Sequence, residues 1–295
     1  MAEFILSCCS TVDLKKSHLE ARDIKYICFH YEIDGRILPD DFGASMPFPD
    51  FYAAMENGAE TRTSQINIDE YCGYFRTFLE QGRDILHIAF SGGLSGSVNS
   101  ALAASALLAE EFPERKLIVI DSLAASSGYG LLMDKIADLR DGGMDIDTLA
   151  AWVEAHKLEL HHWFFSTTLK YYIKGGRVSK TAGFVGGVLG ICPLLHVDDA
   201  GKLIPVDKIR SKKKVIEAIV RKMVEYADKG TSYDGKCYIS HSNCIEDASL
   251  VASLVEETFP KLNGRVEIND IGTVIGSHSG PGTVALFFWG KSRKE

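Results

Sequence analysis

No stretch of this sequence reaches the roughly 18 consecutive apolar residues that a membrane-spanning helix requires, so stable membrane insertion is not expected. A surplus of positive charge is also missing. Lys and Arg number 32 against 40 Asp and Glu, a formal net charge of −8, which repels polyanions and argues against nucleic acid as a partner. Positive residues cluster at Arg210, Lys212, Lys213 and Lys214, a run that reads as the exposed first turns of a helix. The seven cysteines, at 8, 9, 28, 72, 192, 237 and 244, contain no Cys-x-x-Cys. That odd, unpaired set points to free thiols in a reducing compartment rather than to a disulfide framework. The opening residues 1–7 lack the basic region and apolar stretch of a secretory signal, so a cytoplasmic location is expected. Internal repeats and low-complexity segments are absent too.

What is present is a 295-residue chain with 46% hydrophobic residues, enough for an ample core and two ordinary domains. Short apolar runs at 4–6, 26–31, 85–90 and 117–121 alternate with helical patterns, the signature of an α/β fold. Helices are predicted over 50–57, 98–112 and 126–139, and over 149–159 with Asp147 as its cap. The character changes after residue 160. A glycine-spaced apolar helix is predicted over 181–189, then strands over 192–197 and 203–206 joined by the turn Asp198-Asp199-Ala200-Gly201-Lys202. Helices over 212–227 and 245–259 follow, with strands over 236–240, 274–276 and 284–289. The expected architecture is two α/β lobes, 1–160 and 161–295, with a ligand cleft between them.

Four segments could carry chemistry. Phe90-Ser91-Gly92-Gly93-Leu94-Ser95-Gly96-Ser97 lies between a predicted strand and a predicted helix. Its glycines let the backbone approach a ligand, and the helix N-terminus that follows offers unpaired N–H groups to an anion. The spacing is neither Gly-x-Gly-x-x-Gly nor a phosphate loop, since no Gly-Lys-Ser/Thr follows, which disfavours a nucleotide. The plainer alternative is a strand-to-helix turn capped by Ser97. The second segment, Ile275-Gly276-Ser277-His278-Ser279-Gly280-Pro281-Gly282, frames a histidine that could serve as a general base, a metal ligand or a donor to an anion. No second His or Cys sits at ligand spacing there, which weighs against metal. Thr61-Arg62-Thr63-Ser64-Gln65 is a hydroxyl-rich cluster of the kind usually found in a solvated loop. In Lys174-Gly175-Gly176-Arg177-Val178-Ser179-Lys180 a tight turn places Arg177 and Lys180 where a helix begins, and cations there suit an anionic ligand better than the helix dipole. The other histidines read plainly: His161-His162 as the end of a helix, His87 as a core residue, and His241 as undecided.

In this order these pieces resemble the DegV family of bacterial proteins. The likeness is carried by Ser10-Thr11-x-Asp13-Leu14, Thr63-Ser64-Gln65, Leu94-Ser95-Gly96-Ser97, Val119-Ile120-Asp121-Ser122, the segment 174–180, Pro193-Leu194-Leu195-His196-Val197-Asp198 and the segment 275–282, and it spans nearly the whole chain. The resemblance implies a long-chain fatty acid held between the lobes. Its carboxylate would be bound by Thr63, Ser95, His278 and backbone N–H groups around Gly96, with Ser64, Ser91 and Ser279 as secondary polar groups. Arg177 would lie near that carboxylate or on a docking face. It further implies a non-catalytic carrier that needs no cofactor or metal, and a separate ATP-dependent fatty acid kinase that makes the acyl phosphate for phospholipid synthesis. Two positions depart from the family pattern: Cys9 stands where an acidic residue is common, and Ile66 where a proline often follows Thr-Ser-Gln.

Elementary energetics fits a lipid. Burying a methylene is worth about 0.8 kcal/mol, so ~14 of them offer roughly 11 kcal/mol before ordering costs. The tail then supplies affinity and the polar residues set orientation. Phe184, Val188, Leu189 and Ile191 are the expected tail contacts. The rival readings are a serine hydrolase with Ser95 or Ser279 as nucleophile and His278 as base, and a lipid-sensing regulatory module. Against the hydrolase, Gly-Leu-Ser-Gly-Ser is not Gly-x-Ser-x-Gly.

Overall fold

The run Phe4-Ile5-Leu6-Ser7-Cys8-Cys9 is buried along its whole length, as a strand covered on both faces must be. It forms an inner strand of a parallel sheet in the computed structural model, which describes residues 4–179 and 190–294. Before residue 160 the strands are β1 (Phe4–Cys9), β2 (Ile24–Ile27), β3 (His30–Ile33), β4 (Arg36–Pro39), β5 (Thr61–Ser64), β6 (Asp84–Ala89) and β7 (Leu117–Asp121). The helices there are α1 (Lys16–Ala21), α2 (Phe48–Glu56), α3 (Ile68–Leu79), α4 (Ser97–Glu111), α5 (Ser126–Asp141) and α6 (Ile146–His156). Strands β8 (Leu160–Ser166), β9 (Ile191–Val197), β10 (Leu203–Arg210), β11 (Tyr238–His241), β12 (Glu267–Asp270) and β13 (Thr283–Trp289) follow. So do helices α7 (Lys170–Lys174), α8 (Lys212–Tyr226), α9 (Ile245–Thr258) and α10 (Thr273–Ser279).

Three sheets result. One is parallel, in the order β2-β1-β6-β7. A small antiparallel sheet runs β4-β3-β5. The third runs β10-β9-β8-β13-β11-β12, antiparallel except for the β11–β12 pair. Side chains of this last sheet alternate between its faces. Trp163, Phe165, Val284, Leu286 and Phe288 join the core under α8 and α9. Phe164, Ala285 and Phe287 point the other way, into the core shared with the first sheet. Helix α5 packs on that second face, against β8, β11 and β13. A Cβ at Gly128 would come within 2.5 Å of His162 and Phe287, so glycine is what lets α5 lie so close to the sheet.

The structure corrects several sequence expectations. The apolar run 26–31 is divided between β2 and β3, in different sheets, rather than forming one strand. Residues 274–276 are helical, inside α10. His161 and His162 lie in β8 and not at a helix end, because the aromatic run around them packs best on a pleated surface. The cap of α6 is Asp145, whose side chain accepts from the N–H groups of Asp147 and Thr148. Gly96, not Ser97, is the N-cap of α4. Residues 61–64 form the edge strand β5 rather than a solvated loop, held through the Tyr31–Thr63 register. The predicted helix 181–189, with Phe184, Val188 and Leu189, and likewise Lys180, lie outside the described residues.

Candidate functional site

A cavity of about 500 Å³ is walled by residues from both halves of the chain, within the roughly 300–1,000 Å³ usual for small-molecule sites. Its apolar wall is built by alternation. Phe164, Ala285 and Phe287 face it from β8 and β13, while Phe29 and Phe90 meet edge to face with ring centroids 5.8 Å apart. Val197 and Leu203 close it from the β9–β10 hairpin. Among the described residues lining it, Arg177 is the only one with a full charge, in a chain whose net charge is −8. A single cation in a largely apolar wall suits an anionic group joined to an apolar body.

The polar residues come from four separate elements. Thr63 sits on β5, Ser95 and Gly96 in the loop before α4, Arg177 after α7, and His278 in the last turn of α10. Thr63 Oγ1 lies 2.7 Å from His278 Nε2, and Arg177 Nη1 lies 3.4 Å from His278 Nδ1. A guanidinium has donors only, so Nδ1 must accept. The neutral imidazole then carries its proton on Nε2 and donates it to Thr63, which leaves the Thr63 hydroxyl proton free for a ligand. Burial first, and the Arg177 charge second, push the His278 pKa down to about 4, so the ring is neutral at pH 7. Ser95 Oγ accepts from Ser97 N–H at 3.2 Å, which leaves its hydroxyl proton available as well. Two hydroxyl donors, a guanidinium and the N-cap of α4 thus line one cavity, a set of groups suited to a carboxylate.

The surrounding loops are fixed by polar ties. Asp121 accepts from Gly92 N–H at 3.0 and 3.1 Å through its two oxygens. Ser91 Oγ donates to Gly201 O at 2.8 Å, which binds the Gly-Ser loop to the turn between β9 and β10. Arg177 donates from Nε to Leu94 O at 3.2 Å and from Nη1 to Gly175 O at 2.6 Å.

Most of the residues singled out in the sequence converge. Thr63, Ser64, Ser95, Gly96, Arg177, His278 and Ser279 all line the cavity. Ser91 does not: it is fully buried beneath the loop and holds it in place. Ile191, the one expected tail contact among the described residues, pairs with Arg210 at the end of β9 and is not part of the wall. Gln65, named in the Thr63-Ser64-Gln65 segment but given no place in the site, also lines the cavity with its Oε1 over Gly96, where a Cβ would stand 2.6 Å away. The aromatic wall was missed, although the alternation in 283–289 carried a signal for it.

A family model described as an uncharacterised protein of the DegV family matches residues 9–291. A DegV domain-containing protein of Clostridium perfringens is 34% identical over 294 residues, all of both chains. A solved DegV family protein of Thermus thermophilus, characterised for fatty acid binding, superposes with a TM-score of 0.86 at 25% identity, covering 98% of this chain and 100% of that one. The B3 protein of the Streptococcus pneumoniae fatty acid kinase, loaded with linoleic acid, shares the fold at a TM-score of 0.83 and 23% identity, covering 98% of this chain and 99% of that one. Among the described residues no helix is long and apolar enough to cross a membrane.

Proposed function

The chain belongs to the DegV family, and from that premise we propose that it binds a long-chain fatty acid and presents the carboxylate to a separate ATP-dependent kinase. The observation that carries this reading is the meeting of Thr63, Arg177 and His278 at a cavity with an aromatic and aliphatic wall. The acyl chain lies along Phe29, Phe90, Phe164 and Phe287. Thr63, Ser95 and Arg177 hold the carboxylate, and His278 orients Thr63. The chain does no chemistry of its own in this reading. It carries no nucleotide-binding motif, so the phosphoryl group comes from ATP bound to the partner, and the product is the acyl phosphate.

The hydrolase alternative finds less support. Among the described residues the hydrogen-bond partners of His278 are a threonine hydroxyl and a guanidinium, and neither is the carboxylate that orients a catalytic imidazole. A ring that stays neutral down to about pH 4 is also a weak base at neutral pH. Mass spectrometry of an organic extract of the purified protein tests the proposal, with one fatty acid per chain expected. Delipidated protein that fails to bind fatty acid would refute it. Acyl phosphate made from ATP by this chain alone would refute the carrier role.

A further inference from the structure

His278 belongs to α10, late in the chain, and its partner Thr63 belongs to β5, far earlier, so something must fix one against the other. The only covalent route between them passes through most of the fold. The beginning of α10 supplies a shorter link, made of hydrogen bonds. Gly272 N–H donates to Asp13 Oδ1 at 2.9 Å, and the Thr273 N–H and hydroxyl donate to Asp40 Oδ1 at 3.1 and 2.7 Å. Both carboxylates come from the first 40 residues, and both are buried. Each is itself anchored. Asp40 Oδ2 accepts from Ser10 Oγ at 2.8 Å, and the Asp40 N–H donates to Phe29 O at 2.8 Å. Asp13 Oδ2 accepts from the hydroxyl of Ser126, which meets Ser240 Oγ at 2.8 Å. Gly272 permits the approach, since a Cβ there would stand 2.9 Å from Asp13 Oδ1 and 3.1 Å from Asp40 Oδ1.

We propose that Asp13 and Asp40 are positioning residues for the head-group site: by gripping the start of α10 they set where His278 stands against Thr63. The inference rests on the carrier reading above. Neither Asp13 nor Asp40 lines the cavity, and from Gly272 to His278 the helix advances about 9 Å, so both act on His278 through the helix. The tolerance is small. A hydrogen bond of 2.7 Å is lost once its atoms part beyond about 3.5 Å, which is less than 1 Å of travel at the ring. Burying two carboxylates is costly unless donors surround them, and here the donors are largely those of the helix start.

The test uses the delipidated full chain with palmitate and hexadecanol, which share a tail and differ in the head. Asp40→Ala and Thr273→Val should weaken palmitate about three- to tenfold and leave hexadecanol unchanged. Asp40→Asn, which keeps an acceptor for Thr273, should restore palmitate binding. In a His278→Ala background Asp40→Ala should add nothing. Equal weakening of acid and alcohol, or additive losses in that background, would overturn the proposal. If Asp40→Ala does not fold, Thr273→Val carries the same comparison. Wild-type protein that binds neither ligand would end the carrier reading alone. Positioning is then read from the His278 imidazole resonances of ligand-free protein, which must move in Thr273→Val; unmoved resonances overturn it.

Discussion

Replacing Gly175 with alanine should displace His278 without disturbing the rest of the fold. Gly175 closes α7 with φ −78° and ψ −6°, a conformation any L-residue adopts, so alanine brings no backbone strain. Its Cβ, however, would stand 2.2 Å from His278 Nδ1, and an ordinary contact begins near 3.4 Å. The imidazole must therefore retreat by roughly 1 Å, which breaks its 2.7 Å bond to Thr63. Losing one such bond is worth about 0.5–1.5 kcal/mol, or roughly a two- to tenfold weaker fatty acid. Binding should persist, because the tail contributes about 0.8 kcal/mol per buried methylene. Titration calorimetry on delipidated protein, with a fatty acid and the matching alcohol, measures the effect. The acid should weaken, the alcohol should not, and the melting temperature should stay put. Unchanged acid affinity in Gly175→Ala would refute the role given to His278.

Two further outcomes follow from the electrostatics. The His278 imidazole should titrate near 4 in ligand-free protein and move upward when a carboxylate binds, because an adjacent anion favours the imidazolium. The unfolded chain takes up this proton near pH 6.5 and the folded one only near 4, so this group removes stability as pH falls through that window. An imidazole NMR titration that shows an upward shift already in the ligand-free state, or none on binding, would contradict this. Asp134 is fully buried, and while burial alone would raise its pKa, His18, Lys236 and Arg22 hold it well below the usual carboxylate range. Asp134→Ala removes the buried partner of Arg22 and Lys236, which keep only the more exposed Asp138 and Asp141, and should cost about 2 kcal/mol in urea unfolding. The contribution of Asp134 is present above about pH 4 and lost on acidification below it. A loss under about 1 kcal/mol at pH 7 would show that the cluster is not a buried tie.

Much of this was legible in the chain itself. Local patterns reach only neighbours in sequence, and they located most strands and helices because a period of two or 3.6 records which side of an element meets the core. Ser95 and Gly96 were legible for the same reason, as a strand-to-helix loop advertises its glycines and hydroxyls. Residues 274–276 misled, because a short apolar run is ambiguous between a strand and one turn of helix. His161 and His162 misled because a helix ending at His156 runs almost directly into β8.

By itself the sequence determined an α/β chain of negative net charge, with hydroxyls and one histidine set in glycine-framed segments. It took the packed fold to bring Thr63 and Arg177 both against His278, to set Ser91 tying a loop instead of facing a ligand, and to make Phe164 and Phe287 the cavity wall. The physical reason is range. A side chain's partner across 215 positions, as for Thr63 and His278, is set by sheet register and by where α5 and α10 pack, and no local period encodes either.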